Sequence, residues 1–231
     1  MQNVFRRPHH NAILNALHCF DGNLFERAEC FFGGGTAIVL KLDEYRESVD
    51  IDFLCASREG YRILREVVWS KGFAGLVRPG AEISVLRDLK TDQYGIRTIL
   101  HIQGVNIKFE IVKEARITLH GAVDDLFGLP VLGRIDMYTE KLLANADRWL
   151  DKSVLSRDVI DLSMMISQWG DIPDEAWQRA RDAYGGSVDD AYNRAVDRIR
   201  DQDWLRTCME KMNMDPNLAS RILAPHADPK P

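Results

Sequence analysis

Long apolar runs, paired cysteines and basic tracts are all missing from this chain. No apolar run approaches the roughly 20 residues that a membrane-spanning helix needs, and no signal-peptide core follows the arginines near the N-terminus. The four cysteines show no Cys-x-x-Cys spacing, which disfavours a zinc site or a disulfide framework. We therefore expect a cytoplasmic protein with reduced thiols and no membrane partner.

The charge balance is acidic, with a formal net charge of −5 at pH 7 and no long basic run. This balance argues against a protein whose whole surface binds nucleic acid. A local basic groove remains open, because the clustering of charges matters more than their total. Hydrophobic residues make up 45% of the 231 positions, enough for one compact unit or two small domains.

A glycine turn followed by a helix and an acidic strand organises the chain. Three glycines precede the apolar helix that begins at Thr36, and the strand Val49–Phe53 carries Asp50 and Asp52. Side chains alternate along a strand, so the two aspartates share one face. Neighbouring carboxylates repel unless a cation lies between them, and Mg²⁺ prefers oxygen ligands.

The glycines of this turn leave backbone N–H groups at the start of a helix, where a phosphate can approach closely. A phosphate cradle beside a carboxylate pair predicts a nucleotide and metal site. The alternative is an ordinary turn and a half-buried strand with two solvated aspartates.

These residues resemble a known signature. Gly34-Gly35-Thr36, a helix, and then Arg46-x-Ser48-x-Asp50-Ile51-Asp52-Phe53 are similar to the nucleotidyltransferase-fold superfamily. Within it the pattern most resembles the AbiEii/AbiGii type of bacterial toxin and abortive-infection proteins. The resemblance covers residues 30–55, Glu110 and residues 137–165.

The resemblance implies roles for individual residues. The implied catalytic residues are Asp50, Asp52, Lys141 and Asp158. The implied nucleotide- and phosphate-binding residues are Gly34, Gly35, Thr36, Ser48 and Lys141. The implied ligands of two Mg²⁺ ions are Asp50, Asp52 and Glu110.

Glu110 lies in the last of three alternating stretches, Ile83–Val85, Ile96–Ile102 and Val105–Ile111. Gly104 lies between the last two, which predicts a hairpin. In the resembling proteins a strand beside the acidic strand supplies a third carboxylate, and Glu110 fits that place. A surface glutamate on an amphipathic strand is the alternative.

A second group of charged residues follows on predicted helices. Lys141 precedes Asp158 and Asp161, which lie three apart on one helical face, and the two helices are expected to pack as an antiparallel pair. The resemblance assigns function to Lys141 and Asp158. A structural ion pair between packed helices is the alternative, and for Asp161 we favour that structural role.

An earlier helix, capped by Ser57, exposes several arginines. Arg58, Arg62 and Arg65 either form a solvated face or lie beside a polyanionic substrate.

The expected fold is α+β: a small mixed β-sheet with flanking helices, similar to nucleotidyltransferases, followed by a C-terminal helical domain. Residues 1–120 are expected to hold the metal and phosphate site. Residues 121–133 are expected to be a connecting loop, because they contain Pro130 and glycines. Residues 134–231 are expected to be helical and to complete the cleft.

The expected activity is Mg²⁺-dependent transfer of a nucleoside monophosphate from an NTP to a hydroxyl of an acceptor. By resemblance the acceptor is a tRNA 3′ end or a protein, the protein is the toxin of a toxin–antitoxin or abortive-infection system, and a cognate antitoxin is a further partner. A non-catalytic nucleotide-binding module and a metal-dependent phosphodiesterase are the alternatives.

Overall fold

The computed structural model describes residues 4–227, which form two compact units. The first unit contains residues 4–37 and Val49–Gly133. The second contains Ile38–Ser48 and residues 134–227. The helix Gly34–Lys41 contributes residues to both units.

The first unit is built on a mixed β-sheet, with eight strands among the described residues. Its helices are α1 (Pro8–Cys19), α2 (Gly22–Arg27), the first half of α3 (Gly34–Lys41) and α4 (Arg58–Lys71). Its strands are β1 (Cys30–Gly33), β2 (Asp50–Cys55), β3 (Ser84–Val85), β4 (Lys90–Thr91), β5 (Gly95–Ile102), β6 (Val105–Lys113), β7 (Gly121–Asp124) and β8 (Leu129–Leu132).

The strand order is β3-β5-β6-β2-β1-β8-β7, with β4 also paired to β5. β5 and β6 form the predicted antiparallel hairpin, and Gly104 takes a positive φ of +79° in its turn. β2 lies parallel to β6 and antiparallel to β1. This order places the acidic strand in the centre of the sheet, between the glycine-turn strand and the strand that carries Glu110.

Phenylalanine rings fill the core of the first unit. Phe53 of β2 alternates with the aspartates and points to the opposite, buried face. Its ring centroid lies 4.4 Å from that of Phe25 and 5.5 Å from that of Phe20. Phe20 in turn stacks on Phe109 of β6, with centroids 5.1 Å apart. Burial of several aromatic side chains on one face anchors β2 and leaves its aspartates on the other face.

The prediction of a connecting loop over residues 121–133 was wrong. β7 and β8 form an antiparallel hairpin that extends the sheet, and β8 pairs with β1 through Val131 and Phe32. All four residues of β8 are buried, including Pro130. Proline and glycine suggested a loop, but short strands are held by tertiary pairing and burial, which local composition does not reveal.

The second unit is helical apart from short connections. Its helices are the second half of α3, α5 (Arg134–Arg148), α6 (Arg157–Trp169), α7 (Asp174–Tyr184), α8 (Ser187–Arg200), α9 (Gln202–Lys211) and α10 (Ala219–Leu223). α5 packs against α6, α7 and α8, burying Leu142 and Leu143. The predicted α+β class, with a mixed sheet followed by helices, is confirmed. Within residues 4–227 no helix combines the length and apolarity needed to cross a membrane.

Candidate active site

The glycine turn between β1 and α3 lies directly beside the acidic strand. Gly34 has a φ of +67°, and a Cβ built there would lie 2.8 Å from Asp52 Oδ2. Both the backbone conformation and the neighbouring carboxylate therefore favour glycine at this position. Gly33 is the register partner of Asp52 across the antiparallel β1–β2 pair. Sheet register thus holds the Asp52 carboxylate at the start of α3.

The three residues of the glycine turn differ in exposure. Gly34 and Gly35 are half-buried, whereas the side chain of Thr36 is buried. Backbone N–H groups in the first turn of a helix have no intrahelical partner. They and the helix dipole favour an anion near this turn.

Asp50 and Asp52 point to the polar face of β2, since they alternate with the buried residues Ile51 and Phe53. On the neighbouring parallel strand, Glu110 is the register partner of Asp52 and Lys108 that of Asp50. The geometry therefore brings three carboxylates and one ammonium group onto one face of two adjacent strands.

Glu110 already has cationic partners. The Arg97 guanidinium on β5 donates to Glu110 Oε1, and Lys108 Nζ lies 3.3 Å from Oε2. Arg97 also contacts Asp92 at 3.1 Å. The sequence-based assignment of Glu110 overlooked Arg97, although the alternation on β5 places it on the same face.

The carboxylates around Lys108 favour its charged form. Burial alone would lower the pKa of Lys108. The net shift is upward, because the Glu110 carboxylate, and then those of Asp50 and Asp52, favour the charged ammonium. Lys108 therefore partly neutralises the acidic face of the sheet.

The acidic face fits a divalent cation with two carboxylates from the protein. Within residues 4–227, no three His, Cys, Asp or Glu side chains are grouped as a metal site. Mg²⁺, however, is usually bound by one or two carboxylates while substrate phosphates and water supply its other oxygens. Asp50 and Asp52 meet that requirement beside the glycine turn, whereas Glu110 would first have to leave Arg97 and Lys108.

A separate group of buried charges lies in the second unit, between α5 and α6. Lys141 Nζ lies 2.9 Å from Asp158 Oδ1 and 2.6 Å from Asp161 Oδ2. The lysine is only 5% exposed, so the structural ion pair considered from the sequence is buried. Contacts with two carboxylates fix the direction of the lysine side chain.

Each of the two aspartates also binds an arginine. Arg148 donates to Asp158 through Nε at 2.7 Å and Nη2 at 2.9 Å. Arg46 donates to Asp161 through Nε at 2.7 Å and Nη2 at 2.9 Å, and the Tyr45 hydroxyl donates to the same carboxylate. These forked hydrogen bonds fix the carboxylates in plane and leave the group with three cations against two anions.

The neighbouring cations keep both carboxylates ionised. Burial raises the pKa of Asp161, but the charges of Arg46 and Lys141 outweigh it and bring the pKa down to about 2. Burial likewise raises the pKa of Asp158, and Lys141 and Arg148 shift it well below its usual range. Neither carboxylate is therefore a ready proton acceptor at neutral pH.

The predicted site residues thus fall into two local groups. The first unit holds Gly34, Gly35, Thr36, Asp50, Asp52 and Glu110. The second holds Ser48, Lys141 and Asp158. The sequence-based assignments gave no role to Tyr45 or Arg148; the position of Arg148, seven residues after Lys141 on the same helical face, could have indicated it.

A carboxylate pair beside a glycine turn, on a mixed sheet followed by helices, is the arrangement that the resemblance to nucleotidyltransferases led us to expect. Residues 19–224 match the family described as the AbiEii nucleotidyl transferase toxin of type IV toxin–antitoxin systems. The chain belongs to this family, and we therefore describe it as a nucleotidyltransferase toxin of that type.

Two solved structures from Helicobacter pylori are similar to the chain. One is a proposed nucleotidyltransferase at 13% identity, with a TM-score of 0.35, covering 80% of this chain and 94% of that one. The other is JHP933 at 14% identity, with a TM-score of 0.38, covering 87% of this chain and 99% of that one. No curated protein matches the chain.

Proposed function

We propose that the protein transfers a nucleoside monophosphate from an NTP to an acceptor hydroxyl in a Mg²⁺-dependent reaction. The observation that carries this proposal is the position of the Asp52 carboxylate against Gly34 at the start of α3, with Asp50 on the same strand face. The carboxylates that we propose as metal ligands and the helix start that we propose to bind phosphate are thus adjacent within one unit.

In this proposal each part of the turn and strand binds one part of the substrate. The backbone N–H groups of Gly34, Gly35 and Thr36 hold the terminal phosphates. At Thr36 the backbone is assigned this role because the side chain is buried. Ser48 offers a half-buried hydroxyl two residues before Asp50. Asp50 and Asp52 bind Mg²⁺, which when bound offsets negative charge on the phosphates and the attacking oxygen.

The proposed reaction is a substitution at the α-phosphorus of the NTP, with pyrophosphate as the leaving group. The acceptor oxygen forms a bond to the α-phosphorus, the bond from that phosphorus to the bridging oxygen breaks, and pyrophosphate leaves. The hydroxyl proton passes to a base or to water. The low pKa of Asp158 makes it a poor base, so we assign it to holding Lys141.

Lys141 supplies a fixed positive charge in this proposal. An ammonium group has three N–H donors. Among the described residues, two acceptors contact it, one oxygen each from Asp158 and Asp161. The third donor remains for a phosphate oxygen, and a positioned charge of this kind stabilises the transition state of phosphoryl transfer.

The metal assignment is tested by replacing Asp50 and Asp52 with Asn together. The change preserves side-chain size and removes both charges, so Mg²⁺-dependent binding of a non-hydrolysable NTP analogue should be lost in calorimetry. Without metal the melting temperature should stay or rise slightly, because two repelling carboxylates are gone.

The matched control is Glu82→Gln with Asp88→Asn, which removes two exposed carboxylates from the same unit. This control should bind Mg²⁺ and the analogue as the unmodified protein does. Equal Mg²⁺-dependent binding by the Asp50 and Asp52 variant would overturn the assignment.

The acceptor is tested directly with labelled NTP. We propose a tRNA 3′ end or a protein hydroxyl as acceptor, and a cognate antitoxin as a partner, on the strength of family membership. The protein is incubated with Mg²⁺, each labelled NTP in turn, and cell extract, and label is followed into tRNA and protein. Mass spectrometry of total tRNA after induced expression should show the added nucleotide if tRNA is the acceptor. Absence of label from both fractions would contradict transfer.

A further inference from the structure

Helix α4 of the first unit presents a row of arginines ending in a tryptophan. Arg58, Arg62, Arg65 and Trp69 are spaced four, three and four residues apart, so they lie along one face of the helix. All four are exposed, and Trp69 has 93% of its surface accessible. Leu64 is buried on the opposite side of the helix, whereas Tyr61, also buried, lines the groove described next. A tryptophan that contributes so little to the core is unusual, because its ring normally buries a large apolar area.

This row borders a groove of about 1060 Å³. Leu89, Thr91 and Lys113 line it from outside the helix, and the helix also contributes Glu59, Tyr61, Glu66 and Val68. Lys113 Nζ lies 5.9 Å from the centroid of the Tyr61 ring. We call this surface the α4 groove; it lies entirely within the first unit.

The charges of the α4 groove are only partly neutralised. Arg62 is occupied by ion pairs with Glu59 and Glu66 on its own helix. Arg58, Arg65 and Lys113, by contrast, form no ion pair within the part of the chain that the structure describes. Three unneutralised cations around one groove stand out in a chain with a net charge of −5.

The combination of cations and an exposed ring selects a ligand class. We propose that the α4 groove binds single-stranded nucleic acid, with the three cations against phosphates and Trp69 stacked on a base. Cationic grooves that carry an exposed aromatic ring suit single strands, since every unpaired base offers a flat face for stacking. A duplex would present phosphates to the arginines but keep its bases away from Trp69.

The α4 groove is distinct from the acidic face of the sheet. In the β2–β6 register, Lys108 lies beside Asp50 and Lys113 beside Cys55. Five residues along a strand span about 16 Å. Lys113 lies two residues after Ile111 and four after Phe109, so it shares their helix-bearing face and points away from Glu110. The inference is therefore independent of the proposed metal and phosphate site.

Fluorescence anisotropy with the full chain and a labelled single-stranded RNA, without NTP or Mg²⁺, tests this inference. Trp69→Ala should weaken binding about five- to a hundred-fold, the range measured for loss of one stacked base. Trp69→Phe keeps a ring and should restore most of the affinity. Arg58→Gln with Arg65→Gln should lower the slope of log affinity against log salt by about 1.4, or about 0.7 per phosphate contact.

The matched control is Arg27→Gln with Lys152→Gln, which removes two exposed cations outside the groove. It should leave both the affinity and the salt slope nearly unchanged. Circular dichroism should show all variants folded, because the substituted side chains are exposed. A single-stranded DNA of the same sequence tests whether the sugar matters.

Three outcomes would overturn the inference. One is RNA binding that is unaffected by Trp69→Ala and by the arginine variant. Another is tighter binding of a duplex than of the single strand. The third is binding of poly-glutamate with the same variant pattern while RNA stays unbound, which would assign the groove to an acidic protein segment. None of these outcomes bears on nucleotide transfer, since the assay contains no NTP.

Discussion

At the scale of single residues, the most informative group is the buried lysine with its two aspartates. Asp161 accepts hydrogen bonds from Tyr45 and Arg46 and contacts Lys141, so all of its partners belong to the second unit. Asp158 contacts only Lys141 and the half-exposed Arg148 among the described residues. Removing one member of a buried ion pair costs about 3–5 kcal/mol, because the partner charge is left unpaired. Stability and transfer therefore have to be measured together.

If Lys141 has the proposed role, replacing it with Gln should reduce nucleotide transfer about a hundred- to a thousand-fold per folded molecule, since a positioned charge is lost. Asp158→Asn should cause a smaller fall, because it loosens Lys141 without removing it. The measurement is the transfer rate below the melting temperature of each variant.

Asp161→Asn is the comparison for these variants. It should lower the melting temperature while leaving the transfer rate per folded molecule within a few-fold of the original. An inactive but well-folded Asp161→Asn, together with active Lys141 and Asp158 variants, would show that the roles are reversed.

At the scale of elements, strong local patterns were predictable and short elements were not. The acidic strand and the β5–β6 hairpin follow from alternation and a turn glycine. Helix α2, by contrast, has no such pattern, although it begins after an Asp21 cap that accepts from Leu24 N. A helix of six residues carries too little periodicity to be recognised, and its stability comes from burying Leu24 and Phe25.

The candidate site was predictable where its residues lie close in sequence. Gly34, Asp50 and Asp52 belong to one strand-turn-helix-strand segment, so spacing alone relates them. Arg46 and Asp161 are 115 residues apart, and Arg97 reaches Glu110 across a hairpin. Such partners depend on tertiary packing and strand register, which no local pattern contains. The sequence therefore indicated the acidic residues better than the cations that hold them.

The glycine turn permits a test at this scale. Gly34→Ala should destabilise the protein by roughly 1–3 kcal/mol and weaken Mg²⁺-dependent nucleotide binding, because a Cβ would displace the Asp52 carboxylate. Gly104→Ala is the matched control: Gly104 has a φ of +79°, but a Cβ there would meet nothing within 4 Å.

The control should therefore show the cost of a positive φ without any effect on nucleotide binding. Urea unfolding measures the first quantity and calorimetry the second. If both variants bound nucleotide equally well, the contact between Gly34 and Asp52 would have no part in the site.

At the scale of the whole molecule, the two units differ in what stabilises them. The first has a core of packed phenylalanine rings, whose burial does not depend on protonation. The second buries Asp158 and Asp161 together with Arg46 and Lys141, while Arg148 is half-exposed. It also contains His226, whose Nε2 lies 2.8 Å from Ser163 Oγ. Burial, and then the charge of Arg200, lower the pKa of His226 to about 4.

These groups predict two steps in the acid stability of the protein. His226 is neutral in the folded state, so the unfolded chain takes up its proton first, and stability should fall as pH drops from about 6.5 to about 4. Asp161 has a folded pKa of about 2 against an ordinary value of 3.8. The stability that Asp161 contributes to the fold is present above pH 4 and is lost as pH falls towards 2. The share of Asp161 in this second step should be on the order of 2 kcal/mol, since one pKa unit corresponds to about 1.4 kcal/mol. Asp158, whose pKa is also lowered, adds to the same step.

Urea unfolding at closely spaced pH values separates the two steps. His226→Gln should flatten the curve between pH 6.5 and 4 and leave the lower step in place. Asp161→Asn should lower stability at neutral pH and flatten the curve between pH 4 and 2. Asp197→Asn, which removes an exposed partner of Arg200, should change neither the stability nor the lower step appreciably. A lower step that persists unchanged in Asp161→Asn would show that other carboxylates, and not this buried group, set the acid limit of the fold.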